Sequence, residues 1–180
     1  MRGENNLIEN KKEKILYSRE MIQKRVKEMG IELGGFYSGK DLVVISLLKG
    51  SFVFTADLTR EMDIPLEVEF MTTASYGNNE FSSGEVKILQ DVRGDIEGKD
   101  VLIVDDIIDT GHTLSKVIEH LEKKNPSSIK VCVMLDKPSR RQIEIIPDYV
   151  GYEIPDVFIV GYGLNYGNYY RNTPYIFTFE

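Results

Sequence analysis

The residues best suited to chemistry lie in one run, Val101-Leu-Ile-Val-Asp-Asp-Ile-Ile-Asp-Thr-Gly-His-Thr-Leu114. An apolar stretch leads into Asp105 and Asp106, then into Asp109-Thr-Gly-His-Thr, and a helical pattern follows. Gly111 permits a turn that presents backbone N–H groups, that of His112 included, at a helix N-terminus. Thr110 and Thr113 add hydroxyl donors, and the whole is a cradle for a phosphate monoester. Asp105 and Asp106 stand before it at the carboxyl end of a strand, where open α/β sheets bind ligands. Two adjacent carboxylates suit the hydroxyls of a ribose, or a magnesium ion beside them. Asp109 lies between the ribose and phosphate positions, within reach of a base attached at the anomeric carbon. A lone Asp-Thr-Gly would read as a helix cap with solvated side chains. It is the complete strand–loop–helix pattern that points to chemistry.

Such a site needs a sheet to aim it. Asp41 leads into Leu-Val-Val-Ile-Ser-Leu-Leu, a run suited to a strand buried on both faces. Lys49-Gly50-Ser51 interrupts it, and residues 52–62 read as a helix with Phe52, Ala56 and Thr59 on one face. Further strands are expected over 66–73, 101–104, 131–135 and 157–160, with a helix over 113–124. Near the start, Ile15, Ile22, Val26 and Met29 are spaced as on an amphipathic helix over 10–29, with Gly30 as its stop. Alternating strands and helices predict an α/β fold, a central parallel sheet flanked by helices. Residues 74–85 are polar and glycine-containing and read as a long loop, a candidate lid. The tail from Tyr162 to Tyr175, dense in tyrosine and glycine, is too aromatic for a disordered end and should pack on the body.

Length and composition agree with this. The chain has 180 residues, enough for one domain with a full core. Its formal charge of −7 disfavours nucleic acid or an anionic membrane as partner. No apolar stretch approaches the roughly 18 residues of a bilayer span, and the polar start lacks the apolar core of a signal peptide. The single cysteine, Cys132, sits in an apolar run and reads as a buried, inert thiol. The expectation is a cytoplasmic protein.

The Val101–Leu114 segment resembles the phosphoribosyl pyrophosphate (PRPP) motif of the type I phosphoribosyltransferases, and the rest of the chain resembles the hypoxanthine-guanine branch of that family. Leu48-Lys49-Gly50-Ser51 resembles its pyrophosphate loop, which carries a cis peptide before the lysine. Ser75-Tyr76 matches a pair on its catalytic loop, and Arg171 an arginine near pyrophosphate. Lys137 resembles the lysine that meets the purine 6-oxo group. The stretch from Asp148 to Leu164 resembles the purine-binding hood, with Phe158 stacking on the base and Ile159 beside it. The resemblance implies one domain over 1–180, with a core of about 35–145 and a small hood from about 1–34 and 146–180. It implies transfer of the phosphoribosyl group from PRPP to N9 of hypoxanthine or guanine, giving IMP or GMP and pyrophosphate, in a homodimer or homotetramer. Lys49, Gly50, Asp105, Asp106, Asp109, Thr110, Gly111, His112, Thr113 and Arg171 would bind PRPP. Asp109, Ser75 and Tyr76 would be catalytic.

Mg2+ is the implied cofactor, held by Asp105 and Asp106 and at a second position by the residue equivalent to Asn165. The family usually has Asp there; a neutral amide offers a carbonyl oxygen without the charge, which weakens that second site. Val157 stands where many members carry Lys, which removes a positive charge from the hood. Two other readings compete. One is a xanthine-preferring transferase. The other is a PRPP- or nucleotide-sensing regulator on the same fold, which the acidic charge, the lack of an added DNA-binding segment and the presence of Asp109 oppose.

Overall fold

The computed structural model describes residues 12–75 and 86–180. The central sheet has six strands in the order β4-β3-β2-β5-β6-β7. These are β2 (Leu42–Leu48), β3 (Glu67–Ser75), β4 (Val86–Gln90), β5 (Asp100–Ile108), β6 (Ser128–Asp136) and β7 (Tyr149–Glu153). All neighbours pair in parallel except the edge strand β4, which runs antiparallel to β3. The parallel sheet is thus as expected, with an antiparallel edge added. A second sheet joins the chain's two ends, β1 (Glu13–Tyr17) pairing antiparallel with β8 (Ile176–Phe179).

The continuous apolar runs are explained by burial on both faces. Leu42, Val44, Leu102 and Val104 face one layer, shared with Ile22, Val26, Met29 and Leu33 of α1 (Arg19–Phe36) and Leu58 of α2 (Phe52–Arg60). Val43, Ile45, Val101 and Ile103 face the other, against Leu114, Val117 and Leu121 of α3 (His112–Glu122). Each such side chain is worth roughly 1.5–3 kcal/mol when removed from water. Cys132 is fully buried and unpaired, and burial pushes its thiol up, as an inert core residue requires.

Several boundaries differ from the sequence expectation. Ile15 is on β1, not on a helix, and α1 starts after Ser18, whose hydroxyl accepts the Met21 N–H as an N-cap. Gly30 does not stop α1. A Cβ there would lie 2.4 Å from the Cβ of Glu61, so this glycine lets α1 press against the end of α2. On α2 the buried side is Phe54, Thr55 and Leu58, while Phe52 and Ala56 are exposed. Residues 157–160 are not a strand. β7 lies earlier, and Val160 makes an isolated bridge to Phe177. The tyrosine-rich tail packs as expected, with Tyr170 edge-on to Phe177 and Phe179.

Candidate active site

The carboxyl ends of β2, β3 and β5 open onto one cleft of about 270 Å³. Its walls are Leu47, Leu48, Gly50 and Thr73 on one side and Asp105 through Gly111 with Thr113 and Leu114 on the other. Two loops that are distant in sequence thus face each other, as parallel strands ending together require.

The first loop is pinned from below by buried hydroxyls. Ser51 Oγ donates to Leu47 O at 2.6 Å and lies 2.8 Å from Ser46 Oγ, which also accepts from Thr55 Oγ1 at 2.9 Å. The Leu48–Lys49 peptide is cis, and the Lys49 side chain is exposed at the rim. Gly50 is a packing requirement: a Cβ there would come 1.7 Å from Asp106 Oδ2. Gly163, at φ +101°, is a second one, because a Cβ would lie 2.0 Å from Gly50 O. Arg171 completes this corner, donating from Nη1 to Gly163 O at 2.7 Å. Gly163 thus buttresses the Lys49–Gly50 loop, a role that no local pattern around it signals.

The second loop carries the acidic pair. Asp105 Oδ1 accepts the Asp106 N–H and Asp106 Oδ1 the Ile107 N–H, each at 3.0 Å. Burial, and next the neighbouring Asp106 charge, hold the Asp105 carboxyl well above the usual range; burial raises Asp106 too, with Arg171 pulling the other way. Two carboxylates so placed resist carrying both charges, so hydroxyl donors or a divalent cation are favoured beside them. Their donors are oxygens alone, which suits magnesium. Among the described residues no three His, Cys, Asp or Glu side chains form a ready cage for a metal.

Gly111, at φ +92°, caps α3, and Ser115 N donates to its carbonyl at 3.0 Å. The loop is braced by the turn after β6. Gln142 N and Ile143 N both donate to Thr110 O, at 2.9 and 3.0 Å. His112 Nε2 lies 3.0 Å from Gln142 Oε1, so its ring serves the brace. Arg141, largely buried, donates from Nη1 to Asp109 O and from Nη2 to Asp136 Oδ1. Arg140 reaches the Asp109 carboxylate, Nε to Oδ1 at 2.9 Å. Sequence reasoning missed both arginines. Their one signal was the Lys-Pro-Ser-Arg-Arg turn directly after an apolar strand.

Beyond Asp109 stand the residues expected to meet a base. Lys137 is 7% exposed, with Nζ 3.6 Å from Asp156 Oδ1. Phe158 is 57% exposed, touched edge-on by Tyr166, which leaves it outside the core. Ile159, by contrast, is buried in the core with Ile154 and Ile176. Asn165 is partly exposed and its Nδ2 donates to Gly167 O. Ser75 ends β3, where its backbone pairs with Val86. Of the loop expected over 74–85, Ala74 and Ser75 belong instead to β3, and Tyr76 with the rest lies outside the described residues.

Comparison with known proteins gives one answer. The phosphoribosyl transferase domain family matches residues 9–167. The chain is 51% identical over 164 residues to the hypoxanthine-guanine phosphoribosyltransferase of Bacillus subtilis, covering 91% of each. It is 48% identical over 165 residues to the hypoxanthine phosphoribosyltransferase of Haemophilus influenzae, covering 90% of this chain and 92% of that one. Among solved structures, a hypoxanthine phosphoribosyltransferase from Staphylococcus aureus superimposes with a TM-score of 0.90 at 45% identity, over 93% of this chain and 91% of that one.

Proposed function

Because the chain belongs to the phosphoribosyl transferase family, among its hypoxanthine-guanine phosphoribosyltransferases, we propose a division of labour for the residues of the cleft. The protein is a purine-salvage enzyme that joins hypoxanthine or guanine to PRPP, releasing pyrophosphate. The observation that carries the residue assignments is the single cleft in which Gly50 faces Asp105, Asp106 and the Asp109–Thr113 loop. Backbone N–H groups at the start of α3, with Thr110 and Thr113, hold the 5-phosphate. Asp105 and Asp106 accept the ribose hydroxyls. Lys49, Gly50 and Arg171 hold the pyrophosphate. Lys137 donates to O6 of the purine, and Phe158 stacks on its face, a contact worth roughly 1–3 kcal/mol by analogy with base stacking in single strands.

Chemically, the bond from the anomeric carbon to pyrophosphate breaks as N9 attacks, and positive charge builds on the ribose. Asp109 accepts the N7 proton, or stabilises the base that still carries it. Lys49 and Arg171 stabilise the departing pyrophosphate. Asp105 and Asp106 would hold Mg2+, which when bound neutralises charge on the leaving group. The hood is built where the two chain ends meet, a reading supported by the β1–β8 pairing. α1 belongs to the body, since its apolar stripe lies in the central core. Among the described residues no helix is long and apolar enough to cross a membrane. We place the enzyme in the cytoplasm, as a homodimer or homotetramer. Initial rates with hypoxanthine, guanine, xanthine and adenine test the assignment; a preference for xanthine or adenine, or no turnover at all, would overturn it.

Two predictions belong to this corner. Gly50→Ala should push Asp106 aside while the fold survives. The clash is with the end of a side chain that can swing, so KM for PRPP should rise about tenfold while the melting temperature falls by a few degrees at most. A KM equal to wild type would remove the Gly50–Asp106 contact from PRPP binding. The second concerns Asn165, whose amide replaces the carboxylate expected at the second magnesium. Ligand charge is a main determinant of affinity for hard cations. Asn165→Asp should therefore need less free magnesium for half-maximal rate, with the gap widest at low PRPP. Superimposable activation curves would mean that Asn165 is not a metal-site residue.

A further inference from the structure

Two adjacent arginines hold Asp109, and they hold it differently. Arg141 is largely buried and grips the backbone carbonyl of Asp109 while its other nitrogen bonds Asp136. Arg140 grips the carboxylate, and its side chain is 48% exposed. The Arg140 Nε–Asp109 Oδ1 pair is close, at 2.9 Å, but not aligned as a hydrogen bond: Oδ1 is buried and accepts none from the described residues. Arg140 Nη1 also lies 3.6 Å from Asp156 Oδ1, the same oxygen that Lys137 Nζ approaches at 3.6 Å. The guanidinium therefore bridges the phosphate loop and the segment that leads into Phe158.

We propose that Arg140 is a positioning residue that competes with the incoming purine for the Asp109 carboxylate. This rests on the reading of Asp109 as the group that meets the N7 proton. A covered carboxylate oxygen without a hydrogen bond gains most from a well-aligned N–H donor. Arg140 supplies charge there without alignment, so it holds the carboxylate toward the pocket yet yields it readily. Its half-exposed side chain can swing to solvent while retaining Asp156, and Arg141 keeps the loop backbone fixed meanwhile. The two arginines thus separate two tasks, a permanent brace for the main chain and a releasable counter-ion for the reacting carboxylate.

If Arg140 competes with the base, its removal should tighten base binding. Arg140→Ala should lower KM for hypoxanthine about two- to fivefold, the range expected for one partly exposed ion pair. Arg140→Gln, which keeps the stem and loses the charge, should do the same and guards against a folding defect in the alanine variant. The double variant with Asp109→Asn distinguishes this role from a structural one. The guanidinium then has no carboxylate to occupy, so Arg140→Ala should leave KM unchanged in that background. A KM that rises or stays constant in the single variants would overturn the proposal, as would an equal fall in both backgrounds. The Asp109 reading fails separately, through kcat of Asp109→Asn alone, because the Arg140 effect is read on KM.

Discussion

Asp109→Asn is expected to lower turnover by about 10²–10⁴-fold, the range for loss of a general acid–base group, while KM for PRPP changes little. The size of the effect follows from what remains. An amide keeps the shape of the side chain and Arg141 still holds the backbone carbonyl, so the phosphate loop should keep its form. The backbone donors at Gly111 and α3 are untouched, and so is the Asp105–Asp106 pair, whose hydrogen bonds lie within β5. What is lost is the carboxylate proposed to meet the base. A loss of turnover without loss of PRPP affinity is the signature of a group that acts in the transition state. Single-turnover rates with PRPP and hypoxanthine measure it directly. Turnover within threefold of wild type would remove Asp109 from the chemistry.

Much of the frame that aims Asp109 was legible because it is local. β2, β5 and β6 show as apolar runs since both faces are covered, and the phosphate loop shows because strand, turn and helix start are contiguous. The errors fall where a distant partner decides. Ile15 continues the helical spacing of Ile22, Val26 and Met29, yet it pairs with Phe177 on β8, far along the chain. Gly30 looks like a stop by composition, but its reason is a close approach to Glu61. Val157–Val160 has the composition of a strand. It follows Pro155 and precedes Gly161, whose φ of +99° brings it against the Tyr175 carbonyl, so the chain turns instead of extending.

The site follows the same rule. The donors and acceptors on the β5–α3 loop could be named from their order alone. Arg140 and Arg141 could not, because two charges in a polar turn read as a solvated surface. Only the parallel pairing of β5 with β6 sets that turn against Asp109 and Thr110. Gly163 is hidden in the same way, since its neighbour Gly50 lies on another loop. Phe158 shows the reverse: its apolar flanks suggest core, and the structure turns it outward while burying Ile159.

Lys137→Ala is expected to lower the ratio of kcat/KM for hypoxanthine over adenine by about 10- to 150-fold, the equivalent of one hydrogen bond from a charged donor worth roughly 1.5–3 kcal/mol. The expected size follows from the surroundings of this side chain. Lys137 follows β6 directly; its N–H donates to Ile108 O at 3.0 Å, and Pro138 starts the next turn, which fixes its place beside the phosphate loop. Lys137 is only 7% exposed as a residue. At 3.6 Å, Asp156 neutralises it without taking a hydrogen bond. Its donors therefore suit an acceptor brought by the substrate. A 6-oxo group is such an acceptor, whereas a 6-amino group sets donor against donor and leaves both unmet. Lys137→Met, which keeps the length of the side chain without the charge, should shift the ratio equally if hydrogen bonding is the cause. A normal melting temperature would show that Asp156, still paired with Arg140, tolerates the change. An unchanged hypoxanthine-to-adenine ratio in both variants would mean that the base is selected at its other edges, and Lys137 would then serve to neutralise Asp156.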